Sequence, residues 1–136
     1  MEGGYRVVLI EDNDGDAGLV EEILNETGLQ PELIWFKAGH AAMKYFTDGG
    51  KADLILLDLN IPGTSGHELI PSLAREGVCQ DTPIVVLSGS TSPEDMAKAR
   101  DEGVSCYLVK PMTLEEMDEM AVTLRDILQG KDELGH

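Results

Sequence analysis

Short apolar runs rich in β-branched residues punctuate the chain at regular intervals: Tyr5 to Ile10, Glu32 to Phe36, Leu54 to Leu57, Ile84 to Leu87 and Cys106 to Val109. Four of the five are almost continuously hydrophobic, the pattern of strands covered on both faces and hence of a parallel sheet. The intervening stretches place apolar residues three and four apart, the period of an amphipathic helix. The final one is the plainest, because Leu114, Met117, Ala121, Leu124 and Leu128 share one helical face that can pack on a sheet. Boundaries are marked as well. Ser65 with Glu68 and Thr113 with Glu116 have capping-box spacing, in which side-chain oxygens satisfy the free N–H groups of a first turn. Ser92 followed by Pro93 puts proline at the first helical position, and Gly28 and Gly103 stand where left-handed residues end the first and fourth helices.

Five strand–helix units in 136 residues predict an α/β fold with a doubly wound five-stranded parallel sheet and helices on both faces. The flavodoxin-like strand order 2-1-3-4-5 is assigned by analogy as the economical solution at this size. In such a sheet, side chains just past the carboxyl ends of strands 1 and 3 flank the crevice where ligands bind. The residues in those places are Glu11 and Asp12 after strand 1, Asp58 after strand 3, Ser88 after strand 4 and Lys110 after strand 5. Neighbouring strands lie about 4.8 Å apart, so the acids of strands 1 and 3 can converge on one ion.

Three carboxylates in one crevice repel one another, by about 4 kcal/mol per pair at 4 Å and an effective dielectric of 20. A dication relieves this, and an all-oxygen donor set favours Mg2+ or Mn2+ over zinc. Asp58 ends a buried strand, where a carboxylate can attack phosphorus while the metal and Lys110 neutralise the equatorial oxygens. Ser88 can donate to a phosphoryl oxygen, and Gly89 leaves the group room to enter. Lys110 precedes Pro111, at the type of bond where a cis peptide is cheap, and a cis turn is one way to aim the ammonium inward.

Length fits one domain, spanning 5–128, with frayed termini at 1–4 and 129–136 and no output domain. Ten basic residues against 26 acidic ones give a net charge of −16, which repels phosphate backbones and anionic lipid, so no nucleic acid and no membrane are expected as partners. The chain has no signal-peptide pattern and no apolar run near the roughly 20 residues a membrane span needs, so a cytoplasmic protein is expected. Cys79 and Cys106 lack companions at ligand spacing and read as reduced thiols. His40, His67 and His136 are dispersed surface residues, and Trp35 is expected to report on the second strand rather than the site.

Four ordered segments carry a resemblance: Val8-Leu9-Ile10-Glu11-Asp12-Asn13, Leu56-Leu57-Asp58-Leu59-Asn60-Ile61-Pro62-Gly63, Val86-Leu87-Ser88-Gly89-Ser90 and Tyr107-Leu108-Val109-Lys110-Pro111. Together they resemble the receiver domain of two-component response regulators, and Glu11-Asp12-Asn13-Asp14-Gly15-Asp16 with Gly63-Thr64-Ser65-Gly66-His67-Glu68 resemble the single-domain type partnered with phytochrome-type histidine kinases. The resemblance implies Asp58 as phosphoacceptor, Asp12 as a direct Mg2+ ligand, Glu11 as a ligand acting mainly through water, and the backbone carbonyl of Asn60 as a further ligand. It also implies that Ser88 and Lys110 hold phosphoryl oxygens and that Tyr107 is a switch residue turning inward when Ser88 moves. Glu11 departs from the commoner aspartate, which leaves its mode of metal contact open. A sensor histidine kinase or phosphotransfer protein would supply the phosphoryl group. The signal would leave through a downstream protein target, a homodimer, or a further relay, by way of the fourth helix, fifth strand and fifth helix.

Three other readings stand beside this one. A haloacid-dehalogenase-type phosphohydrolase also uses a strand-end aspartate, but it needs a second acid where Asn60 stands. A flavodoxin-like cofactor carrier needs a phosphate loop where Glu11, Asp12, Asp14 and Asp16 would repel the ligand. A receiver fold working as a phosphorylation-independent adaptor would not need the intact polar set.

Overall fold

A computed structural model of the chain describes residues 4–59, 61, 66–75 and 82–130. Strands and helices alternate along it: β1 (Arg6–Ile10), α1 (Asp14–Glu26), β2 (Glu32–Phe36), α2 (Gly39–Thr47), β3 (Leu54–Leu57), α3 (Gly66–Arg75), β4 (Ile84–Ser88), α4 (Pro93–Asp101), β5 (Cys106–Val109) and α5 (Leu114–Leu128). The strands form one parallel sheet in the expected order, β2-β1-β3-β4-β5. All five therefore end on the same edge.

The two-residue period of a strand divides the core cleanly. Val7 and Leu9 of β1, Leu54 and Leu56 of β3, and Val85 and Leu87 of β4 pack with α1 and α5 through Val20, Ile23, Ala121 and Leu124. The alternate residues Val8, Ile10, Ile55, Leu57, Ile84 and Val86 pack on the other face with Phe46 of α2, Leu69, Ile70 and Leu73 of α3, and Ala99 of α4. Each fully buried Leu, Ile or Val contributes about 1.5–3 kcal/mol, so this two-sided burial holds the strand ends, and the side chains just beyond them, in place.

The apolar patterns are over-read in two places. Only β3 and β4 are buried throughout, with β1 buried from Val7 onward; β5 is an edge strand and only half covered, and its Val109 is exposed. Leu114, assigned to the apolar face of the last helix, is 78% exposed. The first turn of α5 lies where the strands have already ended, so the sheet covers only the later residues of that face.

Caps follow side-chain chemistry. Ser92 accepts from the N–H groups of Glu94 and Asp95 ahead of Pro93. Thr113 accepts from Glu116 N–H at 3.0 Å, while the Glu116 carboxylate accepts from Met112 N–H at 2.7 Å, one residue earlier than a capping box requires. Gly28 and Gly103 adopt φ of 78° and 100°, the left-handed conformation expected of them. The pairing of Ser65 with Glu68 falls outside the described residues, as do Cys79 and His136.

Leu56 sits at 0% exposure in the central strand. Leu56→Ala is expected to lower the unfolding free energy by about 2–5 kcal/mol in urea titration. A change under about 1 kcal/mol would contradict this packing.

Candidate functional site

Glu11 follows β1 and Asp58 follows β3, and these strands are neighbours with Ile10 opposite Leu57. The ladder continues one step further, because Asp58 N–H donates to the Ile10 carbonyl at 3.0 Å. Adjacency in the sheet thus brings the two acids side by side. With Asp12 they form a trio whose carboxylate oxygens all lie within 4.8 Å of one another; Glu11 and Asp58 are buried and Asp12 is exposed. Oxygen donors alone at this spacing fit a hard dication such as Mg2+ or Mn2+. Asn60, whose carbonyl completes the expected set, lies outside the described residues.

Lys110 enters from β5, two strands away from β3. Its backbone N–H donates to the Ser88 carbonyl at 2.9 Å, and its Nζ lies 3.1 Å from Glu11 Oε1, 3.1 Å from Asp58 Oδ2 and 2.6 Å from Asp16 Oδ2. The ammonium points inward although no cis peptide occurs among the described residues, so the suggested cis turn before Pro111 is not used. Burial disfavours the charged amine, but its hydrogen bonds to the Asp16 and Asp58 carboxylates outweigh this and hold the Lys110 pKa above its usual value.

Glu11 is pushed up to about 7, first by burial and then by hydrogen bonding and repulsion from Asp58; Asn13 N–H and Lys110 oppose this. One cation thus faces more negative charge than it can neutralise, and a proton on Glu11 relieves part of the excess.

The structure brings together Glu11, Asp12, Asp58 and Lys110. Ser88 ends β4, fully buried, and its hydroxyl oxygen accepts from Ser90 N–H at 3.1 Å. Tyr107 is half-buried on β5 and donates its hydroxyl to the Ser90 carbonyl at 3.0 Å. A Cβ added at Gly89 would meet nothing within 4 Å, so local packing does not demand glycine there.

Two participants are additions to the sequence reading. Asp16, placed there only among the acids that would repel a ligand, is a direct partner of Lys110. Its signal is its spacing: it lies four residues after Asp12, in the first turn of α1, which the Asn13 side chain caps by accepting from Asp16 N–H at 2.8 Å. Trp35 corrects an expectation. It lies on β2, yet its Nε1–H donates to the Glu11 carbonyl at 2.7 Å. The Glu11 N–H in turn donates to the Phe36 carbonyl at 3.0 Å, so the end of β2 holds both the N–H and the carbonyl of Glu11.

The family model for the response regulator receiver domain matches residues 7–122. The chain belongs to the response-regulator receiver family. It is 31% identical over 134 residues to the probable methanogenesis regulatory protein FilR2 of Methanothrix harundinacea, covering 95% of this chain and 86% of that protein. It is 32% identical over 120 residues to the response regulator Rcp1 of Synechocystis sp., covering 84% and 82%. Among solved structures it superposes on the phosphorylated cyanobacterial phytochrome response regulator RcpA with a TM-score of 0.82 at 28% identity, covering 93% of this chain and 95% of that one. The Mn2+-bound form of Rcp1 gives 0.78 at 30% identity, covering 90% and 92%.

This receiver is therefore a phosphoacceptor signalling switch of the two-component type, in a family that works with histidine kinases and downstream targets. Among the described residues, no helix is long and apolar enough to cross a membrane.

The raised Glu11 pKa has a definite sign in stability. A carboxyl group whose folded pKa of about 7 exceeds its ordinary 4.5 stabilises the fold fully below pH 4.5, and that contribution is lost as pH rises through 7. In metal-free buffer Glu11→Gln is therefore expected to be more stable than the parent at pH 8, by up to about 3 kcal/mol. The gap should close as pH falls toward 4.5. Paired denaturant titrations at pH 5 and 8 check this; a gap that is the same at both would contradict it.

Proposed function

We propose that Asp58 is the residue that accepts the phosphoryl group, with Glu11, Asp12 and the Asn60 carbonyl holding Mg2+ or Mn2+ and with Ser88 and Lys110 binding the phosphoryl oxygens. The observation that carries this reading is the meeting of a buried Asp58 with Lys110 and two further acids on one sheet edge. The match over 7–122 supports taking 5–128 as the receiver unit.

A carboxylate oxygen of Asp58 attacks phosphorus. The new O–P bond forms as the P–N bond of a phosphohistidine breaks, and the imidazole leaves with the electron pair and takes up a proton. A small acyl phosphate can serve in place of the protein donor, which makes the chain capable of self-phosphorylation. The bound dication would supply charge neutralisation at the phosphoryl oxygens. Lys110 is already aimed at Asp58 and needs only to shift from carboxylate to phosphoryl oxygen.

Ser90 joins the two expected switch residues. Ser88 accepts from its N–H, and Tyr107 donates to its carbonyl. A Ser88 hydroxyl that turns to a phosphoryl oxygen releases that N–H and shifts the peptide Tyr107 holds. The motion then reaches α4, β5 and α5, where Val109, Met112, Leu114 and Val122 are exposed apolar residues suited to protein contact. The likeness to Rcp1 and RcpA supports a cytoplasmic sensor histidine kinase of phytochrome type, or a phosphotransfer protein, as donor.

With Mg2+ and an acyl phosphate or a competent kinase, the parent protein is expected to take up one acid-stable, hydroxylamine-labile phosphate, and Asp58→Asn none. Equal labelling of both would reject the assignment. The Trp35 indole bonds to the Glu11 carbonyl, so its emission is expected to change on Mg2+ titration of the parent protein. The same titration of Asp58→Asn should be shifted to weaker binding by about tenfold, whereas superimposable curves would argue against Asp58 as a ligand.

A further inference from the structure

We infer that Asp16 is a positioning residue that holds the Lys110 ammonium at the mouth of the site while Glu11 and Asp58 exchange partners. The inference rests on the phosphoacceptor reading for its purpose, but the contact behind it does not.

Lys110 Nζ is shared by three carboxylates, and the shortest of the three distances, 2.6 Å, is to Asp16. The other two partners, Glu11 and Asp58, belong to the trio able to surround a cation; Asp16 does not. A cation takes negative charge from Glu11 and Asp58, and a phosphoryl group converts the Asp58 carboxylate into a mixed anhydride, moving the negative charge onto the phosphoryl oxygens. Both events disturb the present carboxylate contacts, the second by moving the ammonium from an Asp58 oxygen to a phosphoryl oxygen. Asp16 takes part in neither event.

Asp16 is also held in place itself. Its N–H donates to the Asn13 side chain at 2.8 Å, it stands in the first turn of α1 where the helix dipole favours an anion, and Ala17 and Val20 bury that helix against the sheet. Asp14, two residues earlier, pairs instead with Lys37 at 3.0 Å on the open surface, so the role belongs to one acid of this first turn and not to its general charge. Without Asp16, a lysine stem with four rotatable carbons would lose a fixed partner that lies outside the reacting groups.

Asp16→Ala and Asp16→Asn, the second keeping size and helix-cap geometry, test the role beside the parent protein. With Mg2+ and acetyl phosphate, the initial rate of Asp58 labelling is expected to fall about tenfold in Asp16→Ala and at least about threefold in Asp16→Asn. The Mg2+ dissociation constant should stay within about threefold, since Asp16 is outside the trio. In the Lys110→Ala background, removing Asp16 should cost nothing further, because it acts through that amine. A second arm needs no phosphate chemistry: in metal-free protein, acylation of Lys110 by an amine-reactive ester, followed by mass spectrometry, should be about fivefold faster in both Asp16 variants. Parent-like labelling and parent-like acylation would overturn the inference, as would an equal loss in the Lys110→Ala background. An unlabelled parent protein would overturn the phosphoacceptor reading instead, and the acylation rates would still decide whether Asp16 holds the amine.

Discussion

Excess negative charge at one edge of the sheet is the constraint on which the rest of this molecule turns. Glu11 and Asp58 are buried, Asp12 adjoins them, and the Lys110 ammonium pairs with Glu11, Asp58 and Asp16 together. At separations near 4 Å each pair of like charges costs about 4 kcal/mol at an effective dielectric of 20. The fold carries this cost in three ways: Lys110 is drawn in from β5, Glu11 keeps its proton up to about pH 7, and the remaining charge is left open to a dication. Each measure is provisional chemically, since a proton, an amine and a metal ion can all change places. A site poised in this way responds strongly when a further doubly charged group arrives.

The architecture explains why the charges cannot drift apart. Parallel strands end on a common edge, and the register that sets Ile10 opposite Leu57 sets Glu11 beside Asp58. A one-residue slip of β3 would turn Leu54 and Leu56 to the opposite face and empty half the core. The acids are thus fixed by the same burial that stabilises the domain. Hydrogen bonds finish the job: Asp58 N–H to Ile10, Glu11 N–H to Phe36, and the Trp35 indole to the Glu11 carbonyl. Asn13 does the same for α1 by capping its first turn.

Strand positions and the identities of the edge residues were legible because they depend on local pattern. Continuous apolar runs give buried strands, and the polar residue after each run must lie at its end. That reasoning reached Glu11, Asp12, Asp58, Ser88 and Lys110, all of which the structure places at or beside strand ends. It did not reach Asp16 or Trp35 as participants. Asp16 meets Lys110 across 94 positions of sequence, and only the three-dimensional course of β5 past α1 makes them partners. Trp35 reads as an ordinary strand aromatic until β2 is known to lie beside β1 in a register that brings its indole under the Glu11 carbonyl. Leu114 fails for the converse reason: helical periodicity reports which residues share a face but not where the sheet beneath that face stops.

The packing also decides where a change at the site can go. β1, β3 and β4 are buried on both sides, and α5 buries five residues, so none of these elements moves cheaply. α4 is different, because Ala99 is its only fully buried residue among nine, and the adjacent β5 is an edge strand. The Ser90 hydroxyl donates to Asp95 of α4 at 2.7 Å and accepts from Ser92 N–H at 3.2 Å, while its backbone serves Ser88 and Tyr107. A rearrangement that begins at Ser88 is therefore passed by one residue to the start of the least tightly packed helix. Local opening and shifts follow the weakest packing in a fold, so the exposed apolar residues beside α4 and β5 stand at the end of the shortest route from the charged edge to the surface.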